Sequence, residues 1–109
     1  ANSLTRRQLT RVMVYMRDNL GADISLQDLA DVLGMSRFHF CSAFRRAVGV
    51  PPYEYLTRQR IKLACDLLKE RAIPIGIVAT SVGYSSPSSF SMTFRRIMGM
   101  TPTQYRSQS

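Results

Sequence analysis

Residues 86–99 have the sequence SPSSFSMTFRRIMG, which carries a complete set of helix signals. Ser86 suits the N-cap, where its hydroxyl accepts a bond from an otherwise unpaired backbone N–H, and Pro87 suits the first helical position. Gly99 suits a left-handed turn at the end of the helix. One mostly apolar stripe at helical spacing is predicted to be buried, and it consists of Phe90, Thr93, Phe94, Ile97 and Met98. The opposite face is small, polar and arginine-bearing.

The same pattern occurs fifty residues earlier, in residues 36–49 (SRFHFCSAFRRAVG). Serine, two phenylalanines, two arginines and glycine stand at identical offsets in the two copies. Pro52 and Tyr55 follow the first copy as Pro102 and Tyr105 follow the second. A repeat of this length indicates that one supersecondary unit occurs twice in the chain.

The composition favours a polyanionic partner. The chain has 109 residues, a net charge of +8 and 45% hydrophobic residues, which is enough for one compact domain or two very small ones. Residues 71–109 contain four arginines and no carboxylate. A merely solubilising surface is the alternative. No run approaches the roughly 18 apolar residues of a membrane span, and the polar, basic start predicts no signal peptide.

The sequence offers no constellation for metal binding or catalysis. Cys41 and Cys65 lack metal-ligand spacing, and His39 is the single histidine. We therefore expect no metal, no cofactor and no enzymatic activity. The few cysteines favour a reduced, cytoplasmic setting.

Hydrophobic periodicity predicts an all-α fold, since no segment has the alternation of a strand. The predicted helices cover residues 4–20, 24–34, 36–49, 52–71, 73–83 and 86–99, and a short one follows Thr101. Residues 1–51 and 72–109 are predicted to form two helix-turn-helix subdomains, because in each a short helix, a glycine-containing turn and a repeat helix follow one another. Residues 52–71 would form a long central linker helix.

A helix-turn-helix unit places its second helix in the major groove of DNA. The repeat helices are thus the candidate recognition helices, and Arg45 and Arg95 are candidates for bidentate contacts to guanine. Phe38 points away from the core, where it could pack on a thymine methyl or instead be partly buried. The base-reading candidates from helical geometry are Arg37, Phe38, Cys41, Ser42, Arg45, Ser88, Ser91, Met92 and Arg95, of which Arg37 could equally contact phosphate.

Phosphate contacts are predicted at the helix starts and along the basic surface. N-terminal N–H groups of a helix suit phosphate oxygens. The phosphate candidates are Ser36, Arg46, Arg58, Arg60, Ser86, Ser89 and Arg96. For Arg58 and Arg60, on the linker helix, packing against the core or plain solvent exposure are equal alternatives.

The predicted linker helix is about 30 Å long, close to the roughly 34–36 Å between successive major-groove faces. Two recognition helices could therefore enter adjacent major grooves. The site should be asymmetric, because the two helices differ at matched positions, Phe38 against Ser88 and Ser42 against Met92.

Residues 9–106 resemble the DNA-binding domain of the AraC/XylS-type transcription regulators. The resemblance is strongest in residues 77–106, IVATSVGYSSPSSFSMTFRRIMGMTPTQYR. It implies seven helices, two helix-turn-helix units, binding near promoters and activation through RNA polymerase. Many members are near three times this length and have an N-terminal effector or dimerisation domain. This chain shows no counterpart of that domain, so we expect either a fragment of a longer regulator or one of the short stand-alone members.

The family's base-contacting positions are occupied here by Phe38, Cys41 and Ser42 and by Pro87, Ser88, Ser91 and Met92. Members often carry long polar side chains where this chain has Cys41, Ser42 and Pro87, so the resemblance does not imply an operator sequence. The leading hypothesis is a sequence-specific DNA-binding module of a transcription regulator, with activation as the expected effect. The alternative is a helical protein–protein interaction domain with an incidental basic face.

Overall fold

The computed structural model describes residues 3–108, and regular secondary structure in that part of the chain consists of helices alone. In chain order these are α1 (Arg6–Asp18), α2 (Leu26–Val32), α3 (Arg37–Val48), α4 (Pro52–Leu68), α5 (Ile75–Ser81), α6 (Pro87–Met98) and α7 (Pro102–Gln108). The predicted all-α fold with seven helices is confirmed for the described residues. Residues 1, 2 and 109, which the predicted subdomains included, lie outside them.

Two compact units make up the chain, and the boundary between them falls between Thr57 and Arg58, inside α4. The predicted central helix is thus present as α4, and each half of it packs into the core of one unit. Leu56 belongs to the core of the first unit, whereas Ile61 and Leu68 belong to the core of the second.

Buried phenylalanines of α3 hold the first unit together. Phe40 and Phe44 are both 0% exposed, with ring centroids 5.7 Å apart, and Phe44 meets Tyr55 edge-on at 5.7 Å. Ala30 is also fully buried, which lets α2 approach closely. The core further includes Val12, Met16, Leu29, Ala43 and Leu56.

The second unit repeats this arrangement. Phe90 and Phe94 of α6 are 0% exposed with centroids 5.7 Å apart, and Phe94 meets Tyr105 edge-on at 5.7 Å. The internal repeat predicted from the sequence is thus also a structural repeat. The core further includes Ile61, Ala64, Cys65, Leu68, Val78, Ala79 and Val82.

The predicted caps of the repeat helices are confirmed. The Ser36 hydroxyl accepts a hydrogen bond from His39 N at 3.1 Å, and the Ser86 hydroxyl accepts one from Ser89 N at 3.1 Å. Both helices end at a glycine in the left-handed conformation. The start and the end of each recognition helix are therefore set by local sequence.

Several helices are shorter than the sequence predicted. Helix α1 ends at Asp18 with Asn19 as C-cap, before Gly21. Helix α5 begins only at Ile75, because Pro74 occupies the N-cap and a residue before proline avoids the helical conformation. Helix α4 contains 17 residues, or about 25 Å, and ends at Leu68 rather than at residue 71.

Arg106 of α7 caps the C-terminal end of α4. Its Nε donates to the carbonyl of Leu68 at 2.8 Å and its Nη2 donates to that of Glu70 at 3.1 Å. The last carbonyls of a helix have no intrahelical donor, so a guanidinium at that position satisfies them. Between residues 3 and 108, no helix combines the length and the hydropathy needed to cross a bilayer.

Replacing Phe94 by alanine should lower the free energy of unfolding by about 3–5 kcal/mol, because it empties a fully buried site between two aromatic rings. Thermal or denaturant unfolding followed by circular dichroism measures this change. Phe38→Ala is the matched control, since Phe38 is 88% exposed and should leave the melting curve almost unchanged. Equal unfolding curves for the Phe94→Ala variant and the parent would contradict the assignment of Phe94 to the core.

Candidate nucleic-acid interface

The first helix-turn-helix unit consists of α2, a short turn and α3. In the turn, Gly34 N donates to Asp31 O at 3.1 Å and Met35 N donates to Ala30 O at 3.0 Å. These bonds tie the turn to the last residues of α2. Ser36 then starts α3, so the chain changes direction over a few residues.

The second unit has the same turn between α5 and α6. Gly83 N donates to Thr80 O at 3.1 Å and Tyr84 N donates to Ala79 O at 2.9 Å. Ser85 lengthens the connection by one residue before Ser86 starts α6. The two helix-turn-helix units predicted from the sequence are both present.

The face of α3 opposite its buried phenylalanines carries the predicted base-reading side chains. Phe38 is 88% exposed, which excludes the alternative of partial burial, and Arg37 and Arg45 are also exposed. Cys41 and Ser42 are half-buried. The residues lining a shallow depression of about 350 Å³ are Phe38, Cys41, Ser42, Arg45 and Pro51. The structure thus brings four of the predicted residues to one place on the surface.

The corresponding face of α6 carries mostly small side chains. Pro87, Ser88 and Ser89 are exposed, Ser91 is half-buried and Met92 is 74% exposed. Where α3 presents a phenylalanine in its first turn, α6 presents a serine, and its large apolar side chain comes one turn later. The two faces therefore offer different chemical groups at matched positions, as the sequence predicted.

The paired arginines lie in the last turns of their helices. Arg45 and Arg46 of α3, and Arg95 and Arg96 of α6, are all exposed. A cation near the C-terminal end of a helix interacts favourably with the helix dipole, so these positions are compatible with a stable helix as well as with an anionic ligand. Their division into base-reading and phosphate-contacting residues stays a prediction.

Arg60 takes the packed position that the sequence left open as an alternative to a phosphate contact. It is only 6% exposed, and its guanidinium lies 3.1 Å from the position that a Cβ on Gly83 would occupy. A side chain packed beneath a turn of its own unit is not presented to a phosphate, so this placement argues against the predicted phosphate contact. Arg58, the neighbouring phosphate candidate, is exposed.

Arg11 has a position that the sequence analysis did not single out. Its Nη2 donates to the carbonyl of Val32 at 3.0 Å, at the end of α2. Arg11 precedes Arg60 by 49 residues, the same offset that separates Gly34 from Gly83. Extending the repeat from the recognition helices back to the first helix of each unit would have revealed this pair.

The thiol of Cys65 lies in the core of the second unit. Burial raises the pKa of the Cys65 thiol, and the pKa of Tyr105 is raised chiefly by its side-chain hydrogen bond to Cys65. Both groups are therefore neutral at pH 7 and contribute to packing. Within residues 3–108, no group of three or more histidine, cysteine, aspartate or glutamate side chains could hold a metal ion.

Comparisons with known proteins agree with this architecture. A family model described as a helix-turn-helix domain matches residues 29–108. A putative AraC-like transcription regulator of Streptomyces lividans is 44% identical over 82 residues, which is 75% of this chain and 27% of the relative. The RCS-specific HTH-type transcriptional activator RclR of Escherichia coli (strain K12) is 35% identical over 103 residues, which is 94% of this chain and 36% of the relative.

A solved structure of a DNA-binding domain is similar to this chain over most of its length. The DNA-binding domain of AdpA, a global transcriptional factor, in complex with a target DNA, is 31% identical to this chain with a TM-score of 0.87. The similarity covers 93% of this chain and 91% of that one. This chain spans about a third of the length of the two curated relatives. With the family model matching residues 29–108 and both recognition helices in place, the chain belongs to the AraC/XylS-type family of helix-turn-helix domains.

Proposed function

We propose that this chain binds double-stranded DNA in a sequence-specific way as the DNA-binding domain of a transcription regulator, and that it is not an enzyme. The observation that carries the proposal is the outward face of α3, where Phe38, Ser42 and Arg45 line one depression. On the opposite side of the same helix, Phe40 and Phe44 are fully buried. One face of α3 is therefore anchored in the core, and the opposite face carries polar and aromatic side chains. The major groove of DNA accepts a helix of this kind.

The two recognition helices would enter adjacent major grooves on one side of the duplex. The support is the repeat itself, because each half of the chain has a complete helix-turn-helix unit with its own buried core. Helix α4, at about 25 Å, is shorter than the predicted linker, so its length does not by itself argue for this spacing.

Within this proposal the two units contribute differently. Arg37, Phe38, Cys41, Ser42 and Arg45 would read bases through α3. Pro87, Ser88, Ser91, Met92 and Arg95 would do so through α6, with less discrimination because serine hydroxyls accept and donate to several bases. The proposed phosphate contacts are Ser36, Arg46, Arg58, Ser86, Ser89 and Arg96.

The wider role follows from the family and is proposed on that basis. The regulator would act in the cytoplasm as an activator that contacts RNA polymerase, in line with relatives such as the transcriptional activator RclR. Since the chain spans about a third of its curated relatives, an N-terminal effector or dimerisation domain would complete the regulator.

Binding to random duplex DNA should weaken steeply with salt, because protein cations displace counterions from the phosphates. Arg46, Arg58 and Arg96 alone would give a slope of about −2.7 in a plot of log K against log salt, or roughly a 40-fold loss for a four-fold rise in salt. Fluorescence anisotropy with a labelled duplex measures the slope. No binding at low salt would reject the proposal and favour a protein–protein interaction domain.

Arg95→Ala should weaken binding to a selected site by about 1–3 kcal/mol while changing affinity for random DNA little, because a bidentate contact to guanine is lost. Arg96→Ala, one residue away in the same helix turn, is the control. It should weaken all duplexes equally and make the salt slope shallower by about 0.9. A uniform loss for Arg95→Ala would assign Arg95 to phosphate instead.

Replacing thymine by uracil in the selected site should weaken binding of the parent chain roughly four-fold if Phe38 packs on a thymine methyl, since about one methyl group is no longer buried. The Phe38→Ala variant should bind both duplexes equally. Since Phe38 is 88% exposed, this variant stays folded and the comparison is clean. Equal sensitivity of both proteins to uracil would show that another residue contacts the methyl group.

A further inference from the structure

Both helix-turn-helix turns are approached from the first helix of their unit by an arginine. In the first unit, Arg11 Nη2 donates to the carbonyl of Val32 at 3.0 Å. Val32 is the last residue of α2, where carbonyls lack intrahelical donors, and α2 has no basic residue of its own in its last turn. Arg11 therefore supplies both the missing donor and the cation that favours a helix C-terminus.

In the second unit the arginine is buried under the turn. The Cζ and Nε atoms of Arg60 lie 3.1 Å from the position of a Cβ on Gly83, and Nη2 lies 3.3 Å from it. Gly83 has a φ of +96°, a conformation that residues with a side chain rarely adopt. Helix α5, like α2, has no basic residue in its last turn. The absence of a side chain at Gly83 thus permits both the positive φ of the turn and the close approach of the Arg60 guanidinium.

The two arginines occupy the same place in the repeat. An offset of 49 residues relates Arg11 to Arg60 and Gly34 to Gly83. The turns also share their backbone bonds, since Gly34 and Gly83 each donate to the residue three positions earlier. The reading faces of the two units differ, whereas an arginine stands at the same position of the repeat in both.

We propose that Arg60 and Arg11 are positioning residues, each of which fixes the turn that aims the recognition helix of its own unit. The proposal rests on the proposed DNA-binding function. The turn determines the direction in which α3 or α6 leaves, so a loosened turn would displace the base-reading side chains. Arg60 should matter more than Arg11, because Arg60 is 6% exposed whereas Arg11 is exposed and an added Cβ on Gly34 would meet nothing within 4 Å.

The salt slope separates a positioning role from a phosphate contact. In Arg60→Met, affinity for the selected site should fall about ten-fold or more, the order expected for a lost charged hydrogen-bonding group. Affinity for random duplex and the salt slope should stay near those of the parent chain. A phosphate contact would instead make the slope shallower by about 0.9 and weaken all duplexes equally, which would overturn the proposal. Arg96→Ala, the proposed phosphate contact, shows what that second pattern looks like.

The Arg11→Met variant provides a second test of the positioning role. Because Arg11 is exposed, its replacement should leave the fold intact, so this test remains decisive if the Arg60→Met variant does not fold. Arg11→Met should reduce selectivity at the bases that α3 reads, by a smaller factor and with an unchanged slope. If the parent chain itself shows no salt-dependent binding, the proposed function fails and the positioning role fails with it. If the parent binds and neither methionine variant loses selectivity, only the positioning role is overturned.

A double-mutant cycle tests the contact without DNA. Gly83→Ala should destabilise the parent chain more than it destabilises an Arg60→Ala variant, because removing the guanidinium removes the tight 3.1 Å contact with the new Cβ. Gly34→Ala with Arg11→Ala is the matched control and should show no such coupling, since an added Cβ on Gly34 meets no atom within 4 Å. Equal coupling in the two cycles would contradict the proposed role of the Gly83 turn.

Discussion

Burial of two phenylalanines one helical turn apart is the constraint on which each unit depends. Phe40 and Phe44 fix one side of α3, and Phe90 and Phe94 fix the same side of α6. Because these side chains are 0% exposed, rotating either helix about its axis would bring aromatic surface into water. The opposite face of each helix is thereby presented to solvent in one defined orientation, and its side chains are available to a ligand.

This constraint explains how two units with one architecture can carry different reading faces. Buried positions must keep volume and shape, so both helices place phenylalanine there. Outward positions are free of that demand, and Phe38 faces solvent in α3 where α6 has Ser88. The carboxylates are also unevenly placed, since five of the seven lie in the first unit and only Asp66 and Glu70 lie in the second. The second unit is thus more strongly cationic, in keeping with a larger share of phosphate contacts.

The features that depend on local sequence signals were mostly predicted correctly. The features that depend on contacts between residues far apart in the sequence were not. Helix type, the Ser36 and Ser86 caps and the phenylalanine core follow from periodicity and capping chemistry, and the structure confirms them. The end of α4 was not predicted correctly, and the carbonyl of Leu68 there accepts a hydrogen bond from Arg106, 38 residues away, a contact that local signals do not reveal. For Arg60 the sequence left a phosphate contact, packing and exposure open, because local signals do not show that its guanidinium lies close to Gly83, 23 residues away. The roles of individual base-reading residues stay predictions.

Selection of bound duplexes from a random pool, followed by sequencing, tests the central claim most directly. If α3 and α6 read DNA together, the selected sequences should contain two unlike sub-sites whose centres lie about 10–10.5 base pairs apart, one helical turn of the duplex. The sub-site read by α3 should be the more strongly specified. Enrichment of a single sub-site, or no enrichment over the starting pool, would contradict the account.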